Sequence, residues 1–241
     1  MGRLTSLALY CFMAIFMLDC ALEMGLISST VYWLHNRAGK DFEFNYNGST
    51  FPLHGKPVGL LADQGHTSNG AAGTGFVAVG LGGIFSLCLR SRNSRKAKQS
   101  GFSTFMYNLW LTLAILNVLL CLGAIVYVFY LTNTHDNQHI NIALAAGLDN
   151  KPYPNFVAYP DLFWTPETWL AAVLNLPLTK AGDRADIFVW YVVQKVWRWN
   201  LIPMFILQSI VAVLAVLDWR SHKKQVSSYG DYEMPAKRMS T

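Results

Sequence analysis

Two acids set four residues apart inside an apolar run, Asp19 and Glu23, are the side chains of this chain with the most chemical potential. That spacing places them one turn apart on one face of a helix. Charge at membrane depth is costly unless it is paired or hydrated, so the two acids are expected either to be tied to polar groups in neighbouring helices or to line a route for protons or cations. Depth points to a partner. At 1.5 Å per residue, Glu23 lies ~28 Å along its helix from Leu4, and Arg198 lies ~28 Å from Leu217 on a helix running the other way. The expectation is an ion pair between Glu23 and Arg198, with Asp19 one turn deeper and bonded to Asn117 or Thr112. A conduction route through Asp19 and Glu23 is the alternative.

Other constellations carry less chemistry. His135 and His139 have a spacing that could ligate zinc on a helix, but they sit at a loop start with no third ligand in view, so no metal is expected. Cys88 ends an apolar run beside a basic segment, a position that suits reversible acylation. Asn47-Gly48-Ser49 is a glycosylation acceptor triplet. The chain has no phosphate-cradling glycine loop, serine nucleophile elbow, thiol-histidine pair or histidine-acid zinc motif, and neither a catalytic residue nor a cofactor is expected.

The elements that must position these residues are membrane helices. Of 241 residues 53% are hydrophobic and only 14% charged, too few charges to cover a soluble surface of this size. The apolar residues are bunched into stretches at about 4–34, 71–89, 105–131 and 187–217, each near or above the ~20 residues needed to cross the bilayer. The predicted fold is all-α: a four-helix transmembrane bundle over residues 1–220 with two extracytoplasmic loops, followed by a polar cytoplasmic tail at 221–241. An acid at Asp19-Cys20-Ala21 disfavours signal cleavage there, so the first span is expected to be retained.

Charge sets the orientation. Arg90, Arg92, Arg95, Lys96 and Lys98 join the second and third spans with no acid among them, and Arg220, Lys223 and Lys224 follow the fourth. Lysine and arginine favour the cytoplasmic side, so that loop and both termini are expected inside. The net charge of +5 then reads as topology rather than nucleic-acid binding, and the basic loop is expected to meet anionic headgroups. The loops around Asn47 and around Asp136, Asp149 and Asp161 fall outside. All four cysteines lie within spans, and no disulfide framework is expected.

The loops also have local signatures. Asp41 to Tyr46 alternates with period two, as a hairpin strand would. Residues 65 to 75 are glycine-rich and predict a flexible approach to the second span. Thr165-Pro166-Glu167 is a helix start, and Trp164 and Trp169 suggest that this short helix lies at the membrane interface. Within the second span, Ala71, Gly75, Ala78, Gly82 and Ser86 form a small-residue face suited to close helix packing, within the chain or with a second copy.

The four-span plan resembles tetraspan proteins of the claudin and MARVEL type. Thr165-Pro166-Glu167-Thr168-Trp169 and Arg198-Trp199-Asn200-Leu201-Ile202-Pro203 resemble stretches of uncharacterised four-span proteins of filamentous fungi. The first outer loop lacks the cysteine pair of claudins, which argues against a claudin-type barrier. The resemblance implies a non-enzymatic organiser that works by lateral association with membrane proteins or copies of itself, in the plasma membrane or secretory pathway. A transporter or channel subunit is second and a membrane-embedded enzyme third.

Overall fold

A computed structural model describes residues 2–37, 39–95, 101–154 and 163–238. Lys96, Lys98 and Asp161 lie outside the described residues. The chain is mostly helical. Helix α1 (Gly2–Arg37) leads into a hairpin of β1 (Asp41–Tyr46) and β2 (Ser49–His54). Then come α2 (Asp63–Thr74), a π-helix (Gly75–Leu81), α3 (Gly82–Arg95), α4 (Gly101–Thr134), α5 (Ile142–Gly147), α6 (Pro166–Leu174) and α7 (Ala181–Arg238).

Among the described residues, four stretches are long and apolar enough to cross a membrane: Leu4–Arg37, Asp63–Asn93, Gly101–Thr134 and Ala181–Ser221. In their most apolar windows only 22% to 39% of residues are buried, so most of this hydrophobic surface faces away from the protein. Leu18, Val77, Leu119, Val126 and Val213 are all more than half exposed, while Glu23, Asn117 and Gln208 are buried. An apolar exterior around a polar interior is the arrangement lipid selects. The chain is an integral membrane protein.

The chain divides into two compact units. One comprises residues 1–21, 73–121 and 203–241; the other comprises 22–72 and 122–202. The second unit holds both loops and has a hydrophobic core of its own. Strands β1 and β2 pair antiparallel with Asp41 opposite His54 and Tyr46 opposite Ser49. They are joined at Asn47-Gly48, whose positive φ values of 49° and 79° suit the asparagine-glycine turn that matches strand twist. Phe42, Phe44 and Leu53 point inward to meet Trp164, Trp169 and Leu170. The hairpin is tied to the chain beyond α6 by Asn45 N–H to the Pro177 carbonyl and Thr179 N–H to the Glu43 carbonyl. The two loops thus fold on each other.

Helix α6 starts at the expected place. Thr165 is its N-cap, accepting a hydrogen bond from the Thr168 N–H, and Pro166 supplies a fixed φ at the first turn. The rings beside it turn inward. Trp164 and Trp169 are fully buried and packed edge to face at 5.2 Å, and the Trp169 indole donates to the Gly55 carbonyl.

The glycine-rich approach to the second span is helical rather than flexible. Gly65 leaves room for Ile27, which a Cβ would meet at 2.9 Å, and the Thr67 and Ser68 hydroxyls bond back to carbonyls of their own helix. Close packing holds in order a composition that would be loose in isolation.

Candidate functional site

In the unit of residues 1–21, 73–121 and 203–241, the second span contains seven residues of π-helix. Gly75 opposes Phe16 and Cys20 of α1 and Asn117 of α4, Gly80 opposes Met17, and Gly83 opposes Met13 and Trp110. At Gly75 and Gly83 a Cβ would lie only 2.7 and 2.6 Å from its nearest neighbour. The widened turn stretches the interval between successive contact glycines to five residues, from 75 to 80, in place of the regular three or four. The Trp110 indole donates to the Val79 carbonyl at 2.8 Å, pinning the wide turn to α4.

The small-residue face is therefore displaced from the one that regular helical spacing marks out. Ala71, Gly75 and Ser86 are buried, but Ala78 and Gly82 are only half-buried, and a Cβ on Gly82 would make an ordinary contact at 3.7 Å. The closest approaches belong to Gly75, Gly80 and Gly83, and they are made to α1 and α4 of the same chain.

The strongest polar cluster in this unit centres on Asp218. Its carboxylate, nearly buried, pairs with the Arg90 guanidinium and accepts hydrogen bonds from the Tyr107 hydroxyl at 2.9 Å and the Ser6 hydroxyl at 3.0 Å. The Arg90 guanidinium also stacks 4.3 Å from the Tyr107 ring centroid, and the single Tyr107 hydroxyl proton is shared between Asp218 and the Ala215 carbonyl, 3.0 Å away. One carboxylate thus binds side chains from α1, α3 and α4. Sequence reasoning passed over Asp218, although a lone acid closing an apolar span beside Trp219-Arg220 is a visible signal.

Asp19 is half-buried. The Thr112 hydroxyl donates to the Asn108 carbonyl of its own helix, and the buried Asn117 amide lies 3.7 Å from the Cys121 sulfur. Cys88 is exposed on α3, and none of the four cysteines forms a disulfide.

In the unit of residues 22–72 and 122–202, the expected Glu23–Arg198 pair is replaced by two others. Glu23, fully buried, accepts from the Asn200 amide at 3.0 Å, while Arg198 pairs at 3.0 Å with Glu167 of α6. The reason is angular. Asn200 lies two residues beyond Arg198, about 200° around the helix and ~3 Å along it, so the depth match holds while the facing side chain differs. Arg198 turns to the loop helix, with its guanidinium 5.4 Å from the Phe129 ring centroid. Burial raises the Glu167 carboxyl above the ordinary carboxylate value, and the attraction of Arg198 opposes that shift.

Four further contacts fasten α7 in this unit. The Trp197 indole donates to the Ser68 hydroxyl of α2. Arg37, at the end of α1, pairs with Asp183 at 3.1 Å and Asp186 at 3.0 Å, and the Trp33 indole also donates to Asp186. The amides of Gln64 and Gln194, one turn before Ser68 and Trp197 respectively, are buried with no hydrogen-bond partner among the described residues.

The sequon asparagine, Asn47, stands at the exposed hairpin tip. The His135 ring is bonded to the Leu131 carbonyl, and among the described residues no group of three or more histidine, cysteine, aspartate or glutamate side chains is placed to hold a metal. In comparisons with known proteins, no family model, curated protein or solved structure matches the chain.

Proposed function

We propose that this chain is a non-enzymatic organiser of membrane domains, acting through lateral helix contacts and through the folded surface of its two loops. The observation that carries the reading is where its charges go. Arg90 with Asp218, Arg198 with Glu167, and Arg37 with Asp183 and Asp186 each join separate elements within one unit, so these charges serve to hold helices together. Partners then meet exposed apolar helix faces, such as Val77, Leu81, Ile84 and Phe85 of the second span. On this reading the loop unit lies outside the cytoplasm of a plasma or secretory membrane, Asn47 carries a glycan, and the Arg90–Arg95 end of α3 and both termini are cytoplasmic.

A transport role is the second reading. It is favoured by the buried, unpartnered amides of Gln64 and Gln194, since such groups are costly unless hydrated. The two separate in one preparation. The full chain, reconstituted at increasing density in lipid bilayers and followed by single-molecule tracking, is expected to form slow clusters and to support no proton-coupled flux. Monomers at every density, together with a flux abolished by Asp19→Asn, would overturn the organiser.

A further inference from the structure

A groove of about 660 Å³ runs between α6 and the first turns of α7, wholly within the loop-bearing unit. Its walls are Ala171 and Leu174 of α6 and Ala185, Phe188 and Tyr191 of α7, and Arg184 also lines it. The Arg184 guanidinium is held in place by two carbonyls at the close of α6, donating to Leu174 O at 3.0 Å and to Leu176 O at 2.8 Å. Among the described residues it is in no salt bridge, whereas Asp183 and Asp186 on either side are both committed to Arg37. A positioned guanidinium with donors to spare and no carboxylate to neutralise it is a phosphate receptor.

The level of the groove says what brings the phosphate. Phe188, one turn and ~6 Å beyond Arg184, opens the exposed apolar side of α7 that continues through Val192 and Val196. The groove thus starts among charged residues and ends where the lipid-facing surface begins, with Trp190 and Tyr191 at the interfacial position aromatic rings favour. A soluble anion would use the cation and leave the apolar walls bare.

We infer that this groove is a phospholipid site: the phosphate of one glycerophospholipid sits on Arg184 and an acyl chain lies along Ala185, Phe188 and Tyr191. It makes the α6–α7 junction a seat for a lipid in the leaflet on the loop side.

Native mass spectrometry of the full chain released from micelles, with added dioleoyl phosphatidylglycerol, tests this directly. The wild type is expected to keep one tightly held lipid. Removing one interfacial cation by Arg184→Gln is expected to weaken that adduct about five-fold. Ala185→Trp fills the groove while leaving Arg184 in place and is expected to abolish it; Arg184→Lys should retain part of it. Circular dichroism and a monodisperse elution profile check that each variant is folded. Adducts as strong in both Arg184→Gln and Ala185→Trp as in the wild type overturn the site. Competition by millimolar inorganic phosphate, or displacement by cholesterol with no dependence on Arg184, likewise overturns it in favour of a free-anion or sterol site.

Discussion

Replacing Arg90 by methionine keeps most of the side-chain volume and removes the cation from a carboxylate whose side chain is only 5% exposed. Breaking a buried ion pair from one side costs about 3–5 kcal/mol because the remaining charge keeps its desolvation penalty. Two donors stay on Asp218, the hydroxyls of Tyr107 and Ser6, which places the expected loss near the lower limit, about 3 kcal/mol. That is roughly a 150-fold rise in the unfolded fraction. Part of it is the stacking of the guanidinium on Tyr107, worth about 0.5–1 kcal/mol. In Arg90→Met/Asp218→Leu no charge is stranded, and Tyr107 retains the Ala215 carbonyl as acceptor. The double variant is therefore expected within about 1 kcal/mol of the wild type, so the coupling is at least about 2 kcal/mol even before the loss caused by Asp218→Leu alone is counted. Equilibrium unfolding in mixed micelles of rising denaturing-detergent fraction measures all four proteins, provided the transition slope is unchanged. A single-variant loss below about 1 kcal/mol, or a double variant as damaged as the sum of the two singles, would refute the assignment of Asp218 as the tie between helices.

Four other substitutions probe three separate joints. Gly83→Val should destabilise by about 1–3 kcal/mol through overpacking on Met13 and Trp110, whereas Gly82→Ala should be neutral or gain up to about 1 kcal/mol of helix propensity; a reversed order in thermal unfolding would show that the π-helix register is wrong. Gly55→Ala would press a methyl group onto the main-chain carbonyls of Arg37 and Lys40, so protease protection of the loop unit is expected to fall sharply, and unchanged protection would contradict the junction. Glu167 binds its proton more readily in the folded chain than in the unfolded one, so its stabilising contribution is complete below the unfolded value and is lost as pH rises through the folded value. Melting temperature measured relative to Glu167→Gln should accordingly move in favour of the wild type as pH falls toward the unfolded glutamate value of about 4.5, and a move the other way would mean that Arg198, not burial, governs this carboxyl.

The parts of the fold legible in the sequence are those set by local chemistry. Apolar length gave all four spans within a few residues at most ends, because nothing but uninterrupted hydrophobic sequence is needed to satisfy lipid. Alternation gave β1 at Asp41–Tyr46, and Thr165-Pro166 gave the start of α6. What escaped depends on a neighbour. The second span departs from regular helical register at Gly75, and composition does not announce a π-helix, so Gly80 and Gly83 took the contact role that even spacing had assigned to Ala78 and Gly82. The tryptophans around α6 looked interfacial because burial in a second loop and burial in a headgroup layer call for the same residue type; only the hairpin, arriving with Phe42 and Phe44, decides between them.

The exchange of partners at Arg198 shows what depth counting can and cannot fix. Rise per residue is constant, so matching lengths from the ends of two antiparallel spans brought Glu23 to within two residues of its bonded neighbour. Rotation advances about 100° per residue, so an error of two residues in facing puts a side chain on the opposite side of the helix. The residue that faces Glu23 is a neutral amide, and the charge beside it points to the loop helix instead. That choice has a physical sense. Arg198 satisfies a carboxylate at the base of the folded loops, where burying the pair also fastens α6 to α7, and the Asn200 amide gives Glu23 a hydrogen bond that fixes its orientation. The same logic holds for Arg37 and Arg90. Each of these three arginines leaves water at a junction between elements, which is why its removal is expected to loosen an interface before it disturbs any single helix.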